Sequence, residues 1–402
     1  MVTGYIKARE KQTGKQDPKI TWRYFDSDLI DKIGAKEVVD DPVTGFRVGQ
    51  HKFDAGHFRF HLAHKFGFCY GVKLAIWDAL SALERHQGAR ILALSEMIHN
   101  PHVNDELTKR GAIFMDRVGM SIDDVRPTDV VIIPAFGTTV ENFQKLKALG
   151  DKGCTLIDTT CRSVVDVWDQ IQRYNALGLT SVIHGKHEHE ETIATASQAT
   201  RHLVVRDLEQ AAVVGEFIRG NVAEDEILET FAGAYSAEFR PARDLARIGM
   251  ANQTTMRSSE SEEVFALLRE AMQDVHGPVA LDQHYSGLDT ICRATEVRQE
   301  AVIELVRDTP LDVMLVVGGF NSSNTKNLAK IAAAYVPTYH IEGAWAFDGD
   351  QIEHLHGYPL ELGTARDWLP ISGDVGITAG ASTPDNTVGD VIDKILALRP
   401  RP

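Results

Sequence analysis

Short apolar runs recur along the chain, separated by stretches of helical period. The runs fall at residues 91–94, 130–133, 155–157, 181–183, 313–317 and 375–378. Runs of this length between amphipathic stretches predict buried strands of parallel sheets covered on both faces, so the fold class is α/β. Three of the helical stretches begin directly after a cysteine. After Cys69, the residues Val72, Ile76, Leu80 and Leu83 share a face; after Cys161, Val164, Trp168 and Ile171 do; after Cys292, Ala294, Val297, Ala301 and Leu305 do. Spacings of three and four mark helices that lay one face on a sheet. Residues 1–60 are polar and irregular in pattern, and residues 11–18 read as a mobile stretch.

The cysteines carry an internal echo. Asp158-Thr-Thr-Cys161-Arg-Ser163 and Asp289-Thr-Ile-Cys292-Arg-Ala294 share the form Asp-Thr-x-Cys-Arg-small, each just before a helix. Gly67-Phe-Cys69-Tyr-Gly71 places a third cysteine at the same kind of junction. Three related α/β units, each offering one cysteine, account for the pattern. Cys154 follows Gly153 and enters an apolar run, so it reads as packing.

Composition narrows the function. The net charge is −15, from 42 basic and 57 acidic residues, which argues against nucleic acid as a partner. No apolar run reaches the length of a membrane span, and the first residues lack the apolar core of a secretory signal, so the expected location is cytoplasmic, with no membrane partner. A reducing compartment makes disulfides among the 4 cysteines unlikely, and no CxxC pair is present. Buried, unligated cysteine therefore remains an alternative for each.

In open α/β sheets, ligands bind beyond the carboxyl ends of strands, where helix N-termini point positive charge outward. Cysteines at such junctions favour the thiolate, the usual ligand of iron–sulfur clusters. Three on a four-iron cube leave one iron for substrate. Polar loops at strand ends (253–255, 321–324 and 380–384) offer hydroxyls, amides and N–H groups suited to phosphate oxygens, with ordinary helix capping as the alternative. His99 and the run His187-Glu-His-Glu-Glu191 add donors and acids. His51, His57, His61 and His64 fit no tight metal-ligand set.

These pieces, in this order, resemble the 4-hydroxy-3-methylbut-2-enyl diphosphate reductase family. They are Gly67-Phe-Cys-Tyr-Gly-Val72, Ile98-His-Asn-Pro101, Asp158-Thr-Thr-Cys161, His189-Glu-Glu-Thr192, Asn252-Gln-Thr-Thr255, Thr290-Ile-Cys-Arg-Ala-Thr295, Asn321-Ser-Ser-Asn324 and Thr378-Ala-Gly-Ala-Ser-Thr-Pro384. They cover about residues 60–395. Pro134-Ala-Phe-Gly137 and His184-Gly-Lys186 are similar to the longer, cyanobacterial and plastid branch. Phe136 stands where the shorter bacterial branch has a histidine.

The resemblance implies three similar α/β units around a central 4Fe–4S cluster bound by Cys69, Cys161 and Cys292. It implies a diphosphate held by His99, His189, Ser322, Ser323, Asn324 and Ser382. Glu191 would deliver protons, with Thr254 near the hydroxymethyl group. The implied reaction is reductive removal of the allylic hydroxyl, giving isopentenyl and dimethylallyl diphosphate as the last step of the non-mevalonate isoprenoid route. Reduced ferredoxin or flavodoxin is the implied electron donor. The expected layout is an extension at 1–59, a strand and cluster loop at 60–70 that joins the third unit, and units at 71–167, 168–283 and 284–402. Two alternatives are a metal-dependent hydrolase of phosphorylated substrates using His187, His189 and Glu191, and an iron–sulfur sensor.

Overall fold

The computed structural model describes residues 25–40, 47–288, 290–356 and 361–398. The chain divides into two compact units. Among the described residues, one comprises 82–97 and 110–292, the other 25–81, 98–109 and 293–398. Residues 11–18 and Asp289 of the second echo lie outside the described residues.

The first unit holds two four-stranded sheets, both parallel throughout. One runs Ala112–Phe114, Ile91–Ala93, Val130–Ile133, Thr155–Asp158; the other His202–Val205, Thr180–His184, Ile248–Asn252, Tyr285–Gly287. Their central strands Val130–Ile133, Thr180–His184 and Ile248–Asn252 are buried at every position, the reason residues 130–133 and 181–183 read as short apolar runs. The helix Arg162–Leu177 leaves the first sheet and packs on the second. Val167, Ile171 and Tyr174 join its core, and the Tyr174 hydroxyl donates to the Met250 carbonyl at 2.6 Å.

The second unit is built on a ten-stranded mixed sheet. Its central strands Phe58–Leu62, Gly373–Ala379, Val313–Val317 and Thr338–Ile341 are parallel neighbours. Antiparallel strands flank them on both sides. All six apolar runs of the sequence are strands. The described part of the polar segment before residue 60, residues 25–40 and 47–60, is more ordered than its pattern suggests. It supplies the helix Asp28–Ile33 and the strands Val39–Asp40, Arg47–Gly49, Lys52–Asp54 and Phe58–Leu62. Val48, Phe53, Phe58 and Phe60 are buried there between charged neighbours, and strands of two to five residues are too short to show a period.

Candidate functional site

In the second unit the loop 380–384, which follows the central strand Gly373–Ala379, gathers several candidate residues. The Cys69 N–H donates to the Ala381 carbonyl at 3.1 Å. The Ala381 N–H donates to Asn324 Oδ1 at 3.0 Å. Ser382 Oγ donates to the His99 carbonyl at 3.1 Å, and Asn100 Nδ2 donates to the Ser382 carbonyl at 2.9 Å. One five-residue loop thus holds Cys69, His99, Asn324 and Ser382. Ser322 caps the helix Ser323–Ala333 by accepting the Thr325 N–H at 3.3 Å. Ser322, Ser323 and Asn324 are all buried. Asn324 Nδ2 is buried with no hydrogen-bond partner among the described residues. A buried amide donor left open in this way suits an anionic oxygen.

The first unit assembles a second constellation. Cys161 is the N-cap of the helix Arg162–Leu177, and its N–H donates to the Ala135 carbonyl at 2.9 Å. The preceding motif explains its position. Asp158 Oδ1 accepts from the Thr160 N–H at 3.0 Å and from its hydroxyl at 2.6 Å, while the Thr159 hydroxyl donates to the Ile133 carbonyl at 2.6 Å. The carboxylate forms the turn and one threonine fastens it to the neighbouring strand. The second echo fastens similarly. Thr290 Oγ1 accepts the Asn252 N–H at 2.7 Å, and the Cys292 N–H donates to the Thr254 carbonyl at 3.2 Å.

Next to Ala135, the Phe136 ring meets the His189 ring edge-to-face, with centroids 5.8 Å apart. His189 caps the helix Glu190–Ala196, its Nδ1 accepting the Glu191 N–H at 3.2 Å. An acceptor Nδ1 assigns the proton to Nε2, which makes that nitrogen the donor of the ring. Glu191 is 2% exposed. Its Oε1 accepts the Thr254 N–H at 2.6 Å and its Oε2 the Thr254 hydroxyl at 2.9 Å. Cys161, His189, Glu191, Thr254 and Cys292 are therefore joined by a short chain of contacts. The neighbouring acids differ: Glu188 is exposed and pairs with His187 at 3.1 Å, and Glu190 accepts from Ser95 Oγ at 3.1 Å. The hydrolase alternative needs His187, His189 and Glu191 on one ion, yet His189 Nδ1 and both Glu191 oxygens are engaged elsewhere.

Gln253 was part of a motif without a role. Its Oε1 accepts from the Lys186 N–H at 3.1 Å and the Thr192 hydroxyl at 3.2 Å, and its Nε2 donates to Thr255 Oγ1 at 2.9 Å. It ties the loop bearing His189 to the loop bearing Thr254. Only its place inside Asn252-Gln-Thr-Thr255 signalled it.

A family model described as "LytB protein" matches residues 60–396. The chain belongs to the LytB family. Among its LytB relatives is the 4-hydroxy-3-methylbut-2-enyl diphosphate reductase of Thermosynechococcus vestitus, 42% identical over 364 residues, 89% of each chain. The protein of that name from a Cyanothece species is 43% identical over 365 residues, 89% of this chain and 88% of its own. A solved structure titled as (E)-4-hydroxy-3-methyl-but-2-enyl diphosphate reductase, the terminal enzyme of the non-mevalonate pathway, has 29% identity and a TM-score of 0.51. The match covers 84% of this chain and 99% of that one. The Plasmodium falciparum E-1-hydroxy-2-methyl-but-2-enyl-4-diphosphate reductase, at 21% identity, TM-score 0.61 and coverages of 84% and 87%, shares the fold.

The cysteines of this LytB chain divide by environment. None forms a disulfide. Cys69, Cys161 and Cys292 are partly exposed, each immediately before a helix: Tyr70–Arg85, Arg162–Leu177 and Arg293–Asp308. The Val72 N–H points at Cys69 Sγ from 3.4 Å. Such thiols suit metal-bound thiolates. Cys154 is buried among Leu92, Val131, Ile133 and Leu146, and burial pushes its thiol up. Among the described residues, no three His, Cys, Asp or Glu side chains gather as a single-ion site. No helix of these residues is long and apolar enough to cross a membrane.

Proposed function

We infer that this chain reduces 4-hydroxy-3-methylbut-2-enyl diphosphate to isopentenyl and dimethylallyl diphosphate, consuming two electrons and two protons and releasing water. In this reading three α/β units surround a 4Fe–4S cluster bound by Cys69, Cys161 and Cys292. The single observation that carries it is the Glu191–Thr254–Cys292 connection: a buried carboxyl group, bonded twice to a threonine whose carbonyl receives a cysteine N–H. It ties a buried carboxyl group, through one residue, to the backbone of the turn that carries Cys292, which supports a role for that acid in protonating a poor leaving group.

When bound, the cluster supplies electrons and a Lewis-acidic iron for the substrate hydroxyl. The chain's residues do the rest. Asn324 Nδ2, Ser322 and Ser323 hold the diphosphate with neutral donors, Ser382 joins them when its hydroxyl turns from the His99 carbonyl to the phosphate, and His99 and the Nε2–H of His189 add imidazole donors. Neutral donors hold an anion without a basic patch, in keeping with the acidic balance of the chain. Thr254 orients the Glu191 carboxyl, and Glu191 delivers the proton to the departing oxygen. Reduced ferredoxin or flavodoxin serves as the electron source, and the cytoplasm is the location.

The test is anaerobic purification with iron and sulfide counting, followed by turnover with an artificial reductant. Cys69→Ser, Cys161→Ser and Cys292→Ser are each expected to lose cluster and turnover, and Cys154→Ser to keep both. Bleaching in Cys154→Ser alone overturns the ligand set.

A further inference from the structure

The helix Arg293–Asp308 buries a face that its apolar pattern does not predict. Thr295, Arg298 and Gln299 are buried with Ala301 and Val302. Arg298 is 6% exposed. Its Nε and Nη2 both donate to the Gly67 carbonyl, at 3.1 and 2.8 Å, and its Nη1 donates to the Ala294 carbonyl at 2.7 Å. A planar guanidinium that places two N–H groups on one oxygen gives a directional hold that a lysine ammonium does not reproduce.

The carbonyl so held belongs to a constrained turn. Gly67 has φ 67°, and a Cβ there would lie 2.6 Å from Asp385 Oδ1, so a side chain would strain the backbone and displace the Asp385 carboxylate. The Gly67 N–H donates to the Ala379 carbonyl at 3.2 Å. Two residues on, the Cys69 N–H donates to the Ala381 carbonyl at 3.1 Å. The stretch 67–69 is thus sewn to one strand and its loop on one side and gripped by Arg298 on the other. Asp385 also feels the charges of Lys73 and Arg298, which oppose the effect of its burial.

We propose that Arg298 is a positioning residue for Cys69: by locking the Gly67 carbonyl it fixes the direction in which the cysteine presents its sulfur. The proposal rests on Cys69 being a cluster ligand, as in the reading above. Arg298 touches neither substrate nor metal in it and acts through the turn.

The experiment compares Arg298→Met, Arg298→Lys and Cys69→Ser in the full chain, purified anaerobically. The first readout is the rate of iron release to a chelator, followed by loss of visible absorbance. The second, after cluster removal, is the alkylation rate of Cys69 by iodoacetamide, with Cys154 as internal reference. Arg298→Met is expected to release iron roughly tenfold faster or more, the scale of a lost charge-assisted hydrogen bond, with Arg298→Lys in between. The Cys69 alkylation rate changes in the same order while that of Cys154 does not. Parent-like values of both rates in both variants overturn the proposal. Should Arg298→Met fail to fold, Arg298→Lys decides alone: parent-like iron release refutes the proposal, and faster release with an unchanged Cys154 rate supports it. A Cys69→Ser variant that keeps its cluster refutes the ligand assignment itself, separately from Arg298.

Discussion

Glu191 stands apart from its neighbours by what it touches. Glu188 reaches into solvent toward His187, and Glu190 meets a serine hydroxyl, but both oxygens of Glu191 are directed at Thr254 in a buried setting. Glu191→Gln keeps the shape and cannot donate a carboxyl proton. It is expected to retain iron and substrate binding while steady-state turnover falls by roughly 10²-fold or more, the low end of general-acid effects. Glu188→Gln and Glu190→Gln, assayed beside it, are expected to stay near parent turnover; a large loss in either with little in Glu191→Gln would reassign the acid. The residue types that carry chemistry were readable because motif and local turn coincide, as in Asp158-Thr-Thr-Cys161, where the aspartate builds the turn that delivers the cysteine. What Gln253 and Arg298 do was not readable. The partners that define their roles, the Lys186 N–H and Thr192 hydroxyl for Gln253 and the Gly67 carbonyl for Arg298, lie far away in the chain, and such bonds leave no period and no spacing.

At the level of elements, the turn after the strand Val130–Ile133 is held by a glycine for two reasons. Gly137 has φ 80°, and a Cβ on it would sit 2.5 Å from the Trp168 ring. Trp168 in turn donates its indole N–H to Thr195 Oγ1 at 3.1 Å, so one ring links the turn, the helix after Cys161 and the helix after His189. Gly137→Ala meets both the left-handed backbone and an occupied space, and is expected to cost roughly 2–4 kcal/mol. Denaturant unfolding of the variant measures this; a loss below 0.5 kcal/mol, roughly the noise of a neutral surface change, would show that Trp168 yields easily. The elements themselves were legible wherever burial was two-sided. The run 313–317 is buried throughout and reads as a strand from composition alone. The three strands between residues 39 and 54 were not legible, because each spans only two or three residues and includes a charged one; the strand expected from the resemblance within 60–70 runs Phe58–Leu62, where Arg59 ion-pairs with Asp374 and His61 lies 2.7 Å from the same carboxylate. The helix after Cys292 was found by its period, but its buried face was misjudged, since Thr295, Arg298 and Gln299 occupy it beside the alanine.

For the molecule as a whole, two strongly shifted buried imidazoles, one in each unit, contribute to the response to acid. His184 lies on a central strand beside the Ser261 hydroxyl, and His340 Nε2 donates to the Gly318 carbonyl at 2.9 Å; burial pushes each down to about 4. Unfolded, each would take up a proton near pH 6.5. Between 6.5 and about 4 these two sites therefore bind more protons in the unfolded chain than in the folded one, and their contribution to stability falls as the pH drops through that window, by roughly 3 kcal/mol for each histidine. Asp26, pushed up to about 6, works in the opposite sense, but it is exposed and solvent screens it. Unfolding midpoints measured from pH 7 to 4 are expected to decline, and His184→Gln to flatten that decline; an unchanged slope in the variant would remove His184 from the account. A last consequence concerns engineering. Every candidate loop follows the carboxyl end of a strand, which leaves the turns at the opposite ends to serve only as connections. Gly88, exposed in the turn that leads into Ile91–Ala93, has open space around it. A peptide grafted there, carrying a dye or a surface-binding tag, is expected to leave iron content and turnover at parent values, and so to give a handle for wiring the enzyme to an electrode from the side away from its chemistry.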